Sequence, residues 1–391
     1  MMTDTSSSLL LMRDAVVYAP EPVGIADVLC AGDQIIGVAK HLDAPSGIPC
    51  RTIDAVGRTL VPGLIDSHVH LLGGGGEAGP ASRVPEIQLS QLARAGVTTA
   101  VGVLGTDSLT RTPEALLAKA RGFKQDGITA FIWTGAYRIP SPTITGNVIK
   151  DIALIEDVIG VKTAISDHRS AQPTTDELAR LASEARIGGM LAGIPGLVHV
   201  HVGDGSQGLE PLLTVVAESD IPIGQFLPTH INRSADLLLE GIEFVQRGGT
   251  IDLTVPSDIA RGSQAFSASI RTLRNGKTDL SSVTFSTDGN GSMPRFDEKG
   301  RVIGMGVGRI ANLWTTVKAL VQEESLTLEE ALAPVTVNPA TRLGLVGKGR
   351  IRPGCDADFL LLDESLTIDT VVARGRILVA NGKPLVAGAF E

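Results

Sequence analysis

The chain alternates short apolar runs with longer amphipathic stretches over most of its length. Eight apolar runs predict strands, at residues 59–69, 98–104, 129–137, 158–165, 197–202, 223–230, 250–255 and 283–286. Between them, apolar residues recur at i, i+3 and i+4, which predicts helices such as 113–124, 175–186, 210–218 and 235–247. Alternating strands and helices require parallel strands joined by helical crossovers. Eight such units over about 250 residues predict an α/β protein with a (β/α)8 TIM barrel, with an open doubly wound sheet as the alternative.

Both ends of the chain show a different pattern. Residues 9–39 and 350–387 contain short strand-like runs separated by turn signals, without long helical periods between them. Two terminal β regions on either side of one barrel most simply pair with each other. We therefore predict a small β-sandwich domain built from residues 1–60 and 346–391, and a barrel at residues 61–345.

Composition and charge narrow the class of protein. Of 391 residues, 43% are hydrophobic and 20% are charged, and the formal net charge is −9 without a dense Lys/Arg run. This balance disfavours a nucleic acid partner, because phosphate binding needs clustered basic side chains. No apolar run approaches the roughly 20 residues that cross a bilayer, and no secretory segment is visible. The three cysteines are scattered, so we expect a cytoplasmic protein without membrane attachment.

Four of the seven histidines fall at or near the carboxyl ends of predicted strands, where barrel enzymes collect their catalytic groups. His68 and His70 are two positions apart, so a strand places both imidazoles on one face, as two ligands of one metal ion require. His201 and His230 end the fifth and sixth strands and would offer imidazole to a second metal ion. His199 lies deeper in its strand, and we interpret it as a packed core histidine.

Three further residues are candidates for the same centre. Asp288 follows the eighth strand, which neighbours the first strand in a closed barrel. Its carboxylate can therefore reach a metal ion held by His68 and His70. The alternative is that Asp288 only caps the turn that follows the strand. Lys162 lies in an apolar strand, where desolvation lowers the pKa of an amine. A neutral amine can add CO2 to form a carbamate, whereas a lysine that extends its ammonium to water is the alternative. Tyr137 follows the third strand. It is either a hydrogen-bond donor to a developing oxyanion or an amphipathic residue at the rim of the barrel.

These residues, in this order, resemble the amidohydrolase superfamily with a binuclear metal centre and, within it, the isoaspartyl dipeptidases. The segments that carry the resemblance are residues 63–70 (GLIDSHVH), 73–80 (GGGGEAGP), 105–108 (GTDS), 134–137 (TGAY), 165–170 (ISDHRS), 228–233 (PTHINR) and 288–292 (DGNGS). The resemblance extends from the terminal β regions through the whole barrel. It implies the barrel of the metal-dependent hydrolases and a homo-oligomer, an octamer in that family.

The resemblance also implies a complete metal centre. The ligands would be His68, His70 and Asp288 for one zinc ion, His201 and His230 for the other, and Lys162, carboxylated by CO2, together with a hydroxide bridging both. Asp288 would act as general base towards the hydroxide and then as general acid towards the leaving amine. Tyr137 would donate a hydrogen bond to the developing oxyanion.

The implied substrate is a β-aspartyl (isoaspartyl) dipeptide, which is hydrolysed to aspartate and the second amino acid. Such a substrate has a free α-ammonium group and two carboxylates. Glu77 would bind the ammonium group, and Arg169 and Arg233 would bind carboxylate through bidentate hydrogen bonds. The remaining implied substrate contacts are Gly75, Gly76, Thr106, Tyr137 and Ser292.

Two other functions remain open at this point. A cyclic amide hydrolase of the dihydroorotase or hydantoinase type would share the two-metal core, but its substrate has no free α-ammonium group for Glu77. A non-catalytic assembly protein would keep the barrel and lose the chemistry. Because every implied ligand is present in this sequence, the residues favour an enzyme.

Overall fold

A computed structural model describes residues 9–296, 302–323 and 325–391 of the chain. Apart from one hairpin, its strands fall into three groups along the sequence. The amino-terminal strands are β1 (Leu9–Tyr18), β2 (Pro22–Ala31), β3 (Gln34–Ala39), β4 (Cys50–Asp54) and β5 (Thr59–Pro62). The central strands are β6 (Leu64–Val69), β7 (Val97–Gly102), β8 (Thr129–Gly135), β9 (Val158–Ile165), β10 (Leu197–Val202), β11 (Phe226–Thr229), β12 (Ile251–Thr254) and β13 (Val283–Ser286). A hairpin of β14 (Ser292–Phe296) and β15 (Val302–Val307) precedes the last group, β16 (Phe359–Leu362), β17 (Ile368–Ala373), β18 (Arg376–Ala380) and β19 (Lys383–Pro384).

The helices lie mainly between the central strands. They are α1 (Leu89–Arg94), α2 (Pro113–Asp126), α3 (Val148–Leu154), α4 (Thr175–Ala192), α5 (Glu210–Glu218), α6 (Ala235–Gln246), α7 (Ile259–Asn275), α8 (Asn312–Gln322), α9 (Leu328–Leu332) and α10 (Val337–Leu343). Their starts follow ordinary capping chemistry: the Thr112 side chain caps α2, and Thr174 forms a capping box with Glu177 at α4. Within the described residues, no helix combines the length and apolarity needed to cross a membrane.

The central strands close into a barrel. Strands β6 to β11 form one parallel sheet, and β12 and β13 form a parallel pair. Strand β12 packs against β11 and β13 against β6, and a bridge between Val69 and Gly289 joins the ends of the ring. Buried Ile65, Val101 and Trp133 belong to an apolar cluster contributed by several barrel strands. The structure therefore confirms the (β/α)8 barrel and excludes the open doubly wound sheet.

The terminal strands form one curled sheet in the order β19-β18-β17-β16-β5-β1-β2-β3, with β4 also paired to β1. The edge strand β3 contacts the carboxyl-terminal part of the sheet, because the Ile35 amide in β3 donates to the carbonyl of Cys355, in the segment before β16, at 2.8 Å. Arg374, between β17 and β18, also pairs with Asp33 at 3.1 Å. The enclosed face buries its own apolar core, which includes Met12 and Phe359, as the predicted sandwich domain requires.

The apolar run at residues 59–69 is two strands rather than the single predicted one. Gly63 separates β5 from β6, and a Cβ atom at this position would lie 2.3 Å from the Thr98 Oγ1 atom. Pro62 pairs with Phe359, so β5 belongs to the terminal sheet. The predicted boundary at residue 61 is therefore corrected to Gly63, because strand pairing rather than hydrophobicity decides which sheet a strand joins.

One strand contacts both cores. Phe359 and Leu361 of β16 face the core of the terminal sheet, whereas Leu360 and Leu362 belong to the barrel core. This alternation follows from the two-residue period of a strand. The terminal domain is consequently packed against the barrel through apolar contacts.

A buried lysine adds a polar link between the two units. The Lys348 ammonium lies 2.6 Å from Asp358, 2.7 Å from Asp356 and 2.7 Å from the hydroxyl of Thr129, where barrel strand β8 begins. Burial would lower the pKa of Lys348, but Asp358 and Asp356 outweigh it and raise that pKa. The Lys348 amine therefore stays protonated, next to the beginning of barrel strand β8.

We expect the substitution Lys348→Met to lower the free energy of unfolding by about 3–5 kcal/mol, because it leaves the buried Asp358 carboxylate without its cation. Urea titration followed by circular dichroism would measure the change. The control is Arg350→Met, which removes the more exposed ion pair to Glu21 and should cost less than about 1 kcal/mol. Equal losses in both variants would contradict the role of the buried link.

Candidate active site

Three of the predicted ligands converge at the carboxyl ends of the first and last barrel strands. The Nε2 atoms of His68 and His70 lie 3.4 Å and 3.1 Å from the Asp288 Oδ1 atom. One ligand atom from each residue falls within 4.8 Å of the other two. These three side chains form a candidate metal site, which is partly open to the cleft at Asp288.

The turn that contains Asp288 has an unusual backbone conformation. Asp288 has a φ of 48°, in the left-handed region that few non-glycine residues adopt. A Cβ atom on Gly291 would lie 2.4 Å from Asp288 Oδ1, so the turn needs glycine there. The next carbonyl, of Gly289, accepts a hydrogen bond from the His70 amide at 2.8 Å. The first and last strands are thereby locked together beside their ligands.

Two further histidines extend the site. The ring centroid of His230 lies 4.6 Å from that of His201 and 5.1 Å from that of His68. His230 bonds the Thr254 hydroxyl through Nδ1 at 2.6 Å. Its Nε2 atom is buried without a hydrogen-bond partner, as is Asp288 Oδ1. Buried polar atoms normally have partners, so these two atoms are suited to accept a cation.

Lys162 lies at the centre of the cluster. Its side chain is fully buried, and its Nζ atom lies 3.2 Å from His68 Nε2. In the described part of the chain, no carboxylate lies within 4.0 Å of this nitrogen. Burial lowers the pKa of Lys162 to about 7. A substantial fraction of the amine is therefore neutral near neutral pH, which is the form that reacts with CO2.

The protonation states of these side chains suit the binding of a metal ion. Burial lowers the pKa values of His68 and His201 to about 3, and it lowers that of His230 well below the usual value. Burial alone would raise the pKa of Asp288, but His68 and His70 outweigh it and hold that pKa well below its usual range. Neutral imidazoles beside an ionised carboxylate are the donor set that divalent cations such as Zn²⁺ prefer. The residues present thus fit a metal centre.

Asp167 is a site residue that the sequence interpretation did not assign. Its Oδ2 atom accepts hydrogen bonds from His201 Nε2 at 2.8 Å and from Arg169 Nη2 at 2.7 Å, and its Oδ1 atom accepts one from Arg169 Nε at 2.9 Å. Burial would raise the pKa of Asp167, but Arg169 and His201 lower it strongly. The carboxylate thus orients the His201 ring, whose other nitrogen, Nδ1, contacts the Tyr137 hydroxyl. The available signal was the place of Asp167 directly after strand β9.

Tyr137 lies between the two parts of the site. Its hydroxyl is 2.6 Å from His201 Nδ1, and the guanidinium carbon of Arg169 lies 5.7 Å from the centroid of its ring. Burial raises the pKa of the Tyr137 phenol. The phenol therefore keeps its proton at neutral pH and can act as a hydrogen-bond donor.

His199 is buried, as expected of a core residue, but it also contacts a candidate ligand. Its Nε2 atom lies 2.8 Å from His68 Nδ1, and its Nδ1 atom lies 3.1 Å from the Leu227 carbonyl. The indole of Trp133 stacks on its ring at a centroid distance of 4.8 Å. His199 consequently fixes the orientation of the His68 ring as well as filling the core.

Three of the predicted substrate contacts, Glu77, Arg169 and Ser292, lie close together at the rim of the barrel. The hydroxyl of Ser292 lies 3.3 Å from Glu77 Oε2, and Arg169 Nη1 lies 3.7 Å from Glu77 Oε1. Arg233 stands apart from this group and lines a cleft of about 1310 Å³ together with His230 and Asp288. The site thus presents a carboxylate and two guanidinium groups beside the candidate ligands.

The remaining predicted contacts are backbone groups and one hydroxyl. The Thr106 hydroxyl is buried without a hydrogen-bond partner. Gly75 has a φ of 80°, and a Cβ atom there would lie 2.3 Å from the Ser82 carbonyl. The Gly76 amide already donates to Ser82 Oγ at 3.2 Å. The Thr106 hydroxyl is thus left for a ligand, whereas the Gly76 amide is engaged within its own loop.

Comparison with known proteins agrees with this geometry. The model of the amidohydrolase family matches residues 59–378. The chain belongs to the amidohydrolase family. A crystal structure of β-aspartyl dipeptidase from Fervidobacterium islandicum AW-1, in complex with β-Asp-Leu, is 42% identical, covers 97% of this chain and 99% of its own, and superposes with a TM-score of 0.90.

More distant relatives in the family have other names. An imidazolonepropionase from Klebsiella pneumoniae is 24% identical over 96% of this chain and 97% of its own length. A dihydroorotase from Lactobacillus gasseri is 24% identical over 90% of this chain and 88% of its own. The family assignment thus identifies the chain as a hydrolase of the amidohydrolase superfamily, and its substrate has to be argued from the site.

We expect the purified protein to contain about two divalent cations per chain, and His230→Ala to lower this content to about one, because the second site then loses an imidazole ligand. Inductively coupled plasma mass spectrometry would measure the metal content. The control is His168→Ala, since the His168 side chain is 83% exposed beside the same site. Full metal content in the His230 variant would contradict its assignment as a ligand.

Proposed function

We propose that the enzyme hydrolyses β-aspartyl dipeptides to aspartate and the second amino acid. The observation that carries the proposal is the Glu77, Arg169 and Ser292 group next to the candidate ligands. A β-aspartyl dipeptide offers an ammonium group and a carboxylate on the same aspartyl carbon, and this group offers the opposite charges. The similar enzyme from Fervidobacterium islandicum was crystallised with such a dipeptide, which supports the same substrate class here.

Recognition would use charge complementarity in a partly desolvated site. Glu77 would bind the α-ammonium group, and Arg169 and Arg233 would bind carboxylates. In the free enzyme, Glu77 and Arg169 lie close enough to compensate each other. An incoming dipeptide would insert its ammonium and carboxylate between them, so both protein charges stay paired. A cyclic amide has no ammonium group for Glu77, and one charge in the pair would be left without a partner.

In the proposed mechanism, His68, His70 and Asp288 would hold one divalent cation and His201 and His230 a second, and Lys162, carboxylated by CO2, would be a further ligand. When bound, such cations lower the pKa of a water molecule and polarise a carbonyl group. Asp288 is ionised at neutral pH, so it can accept the proton of the attacking water and deliver it to the leaving amine. Tyr137 keeps its proton and can donate to the carbonyl oxygen as negative charge develops there.

The test compares three substrates on the same metal-loaded preparation: β-Asp-Leu, α-Asp-Leu and dihydroorotate. We expect free aspartate from β-Asp-Leu alone, and we expect a chelator to abolish it. Chromatography would quantify the products. Turnover of dihydroorotate instead, by protein with full metal content, would replace the proposal by a cyclic amide hydrolase, the class to which one distant relative belongs.

We expect Glu77→Gln to lower kcat/KM for β-Asp-Leu by about 100-fold or more, because loss of a charge partner for a buried ammonium costs 2–5 kcal/mol. Steady-state kinetics would measure the change. The control is Glu86→Gln, which lies nearby and pairs with Lys119 away from the ligands. Wild-type kinetics in the Glu77 variant would reject the assigned ammonium site.

We expect Tyr137→Phe to lower kcat by about 100- to 1000-fold with a small change in KM, as loss of one oxyanion donor does elsewhere. The metal content should stay at the wild-type level, because the phenol is not one of the assigned ligands. A rise in KM with unchanged kcat would instead assign Tyr137 to substrate binding.

A further inference from the structure

A buried arginine outside the candidate ligands contacts the loop that carries Glu77. Arg111 is 6% exposed and stands just before helix α2. Its Nε atom donates to the Leu72 carbonyl at 3.0 Å, Nη2 to the Val84 carbonyl at 3.0 Å, and Nη1 to the Gly75 carbonyl at 3.3 Å. One guanidinium group therefore binds three carbonyls of a single loop, residues 72–84, two of them near its beginning and one at its end.

The same guanidinium also reaches a second loop. Arg111 Nη1 lies 3.2 Å from Asp107 Oδ2. Asp107 accepts further hydrogen bonds from the amide and the hydroxyl of Thr110 at 3.0 Å and 2.5 Å. Thr106, whose buried hydroxyl has no partner, directly precedes Asp107. Arg111 thus connects the loop of Gly75 and Glu77 with the loop of Thr106.

Loop 72–84 also has hydrogen bonds of its own, such as those from the Val84 amide to the Gly74 carbonyl at 2.9 Å and from the Gly76 amide to Ser82 Oγ at 3.2 Å, and Arg111 adds the side-chain contacts that join it to the Thr106 loop. The glycines of loop 72–84 have no side chains to pack, and the Gly73 and Gly75 positions approach the backbone of Val84 and Ser82 too closely for a Cβ atom. An Arg guanidinium presents several N–H donors in a fixed planar arrangement, which a flexible ammonium cannot reproduce. The geometry around Arg111 is therefore specific to arginine.

We propose that Arg111 is a positioning residue for substrate recognition, which sets the spacing between the Glu77 loop and the Thr106 loop and thereby the fit of the aspartyl group. The inference rests on the proposed function. Arg111 contacts none of the assigned metal ligands, so it should act on substrate binding rather than on the chemical step.

The test measures kcat, KM and metal content for Arg111→Gln with β-Asp-Leu. We expect KM to rise by about 10- to 100-fold, as loss of buried charge-assisted hydrogen bonds allows, while kcat changes less than about 3-fold and metal content is unchanged. The control is Arg121→Gln on α2, whose side chain is 57% exposed. A fall in kcat at constant KM would overturn the proposal.

A double variant separates positioning from general destabilisation. If Arg111 acts through the Glu77 loop, the KM effect of Arg111→Gln should shrink to less than about 3-fold in the Glu77→Gln background. Independent, multiplying effects would overturn the proposal. Arg111→Lys keeps the charge and loses the planar geometry, so we expect a KM close to that of the Gln variant. A wild-type KM in Arg111→Lys would also overturn the proposal. If Arg111→Gln does not fold, the same measurements are made on Arg111→Lys.

Hydrogen exchange gives a readout that needs no turnover. We expect faster exchange in residues 72–84 of both Arg111 variants than in the wild type or in Arg121→Gln. If the wild-type enzyme failed to hydrolyse β-Asp-Leu, the proposed function would fall, and exchange would still decide the role of Arg111 in the loop. Unchanged exchange would overturn that role.

Discussion

Burial of ionisable groups at the mouth of the barrel is the constraint on which the site depends. Lys162, His68, His201 and His230 are removed from water, and burial lowers their pKa values. Two carboxylates belong to the same interior. Asp252 accepts hydrogen bonds from Thr229, Thr284 and Ser286, and Asp66 accepts two from Thr287, through its amide and its hydroxyl. Burial raises their pKa values to about 6 and about 7. The imidazoles that burial keeps neutral have lone pairs with which to bind cations.

The substrate side of the site is connected to the ligand side by Asp167. Because one carboxylate binds both His201 and Arg169, a displacement of either side chain changes the hydrogen bonds of the other. Tyr137 contacts the same two residues from the opposite side. Outer partners of this kind hold catalytic groups to small tolerances. A candidate metal ligand and a proposed substrate contact therefore share the same hydrogen-bond partner.

How far the sequence predicts this arrangement depends on the range of the contacts. The two-residue period of a strand placed His68 beside His70, and the ring closure of the barrel brought Asp288 to them. The same reasoning missed Asp167, because an aspartate after a strand is common in turns. It also missed Arg111, whose carbonyl partners lie 27 to 39 residues away and carry no sequence signal. The break at Gly63 escaped notice for a related reason, since an apolar run does not tell which sheet it will join.

The pairing of β5 with β16 has a consequence for biosynthesis. Pro62 leaves the ribosome long before Phe359, its partner in the sheet. At the usual 5–20 residues per second, the wait is about 15–60 s. During this time β1, β2 and β3 can form a meander, but β5 exposes an unpaired edge and the barrel face that later receives Leu360 stays uncovered. The nascent chain therefore passes through a stage in which a chaperone has apolar surface to bind, until the last strands are made.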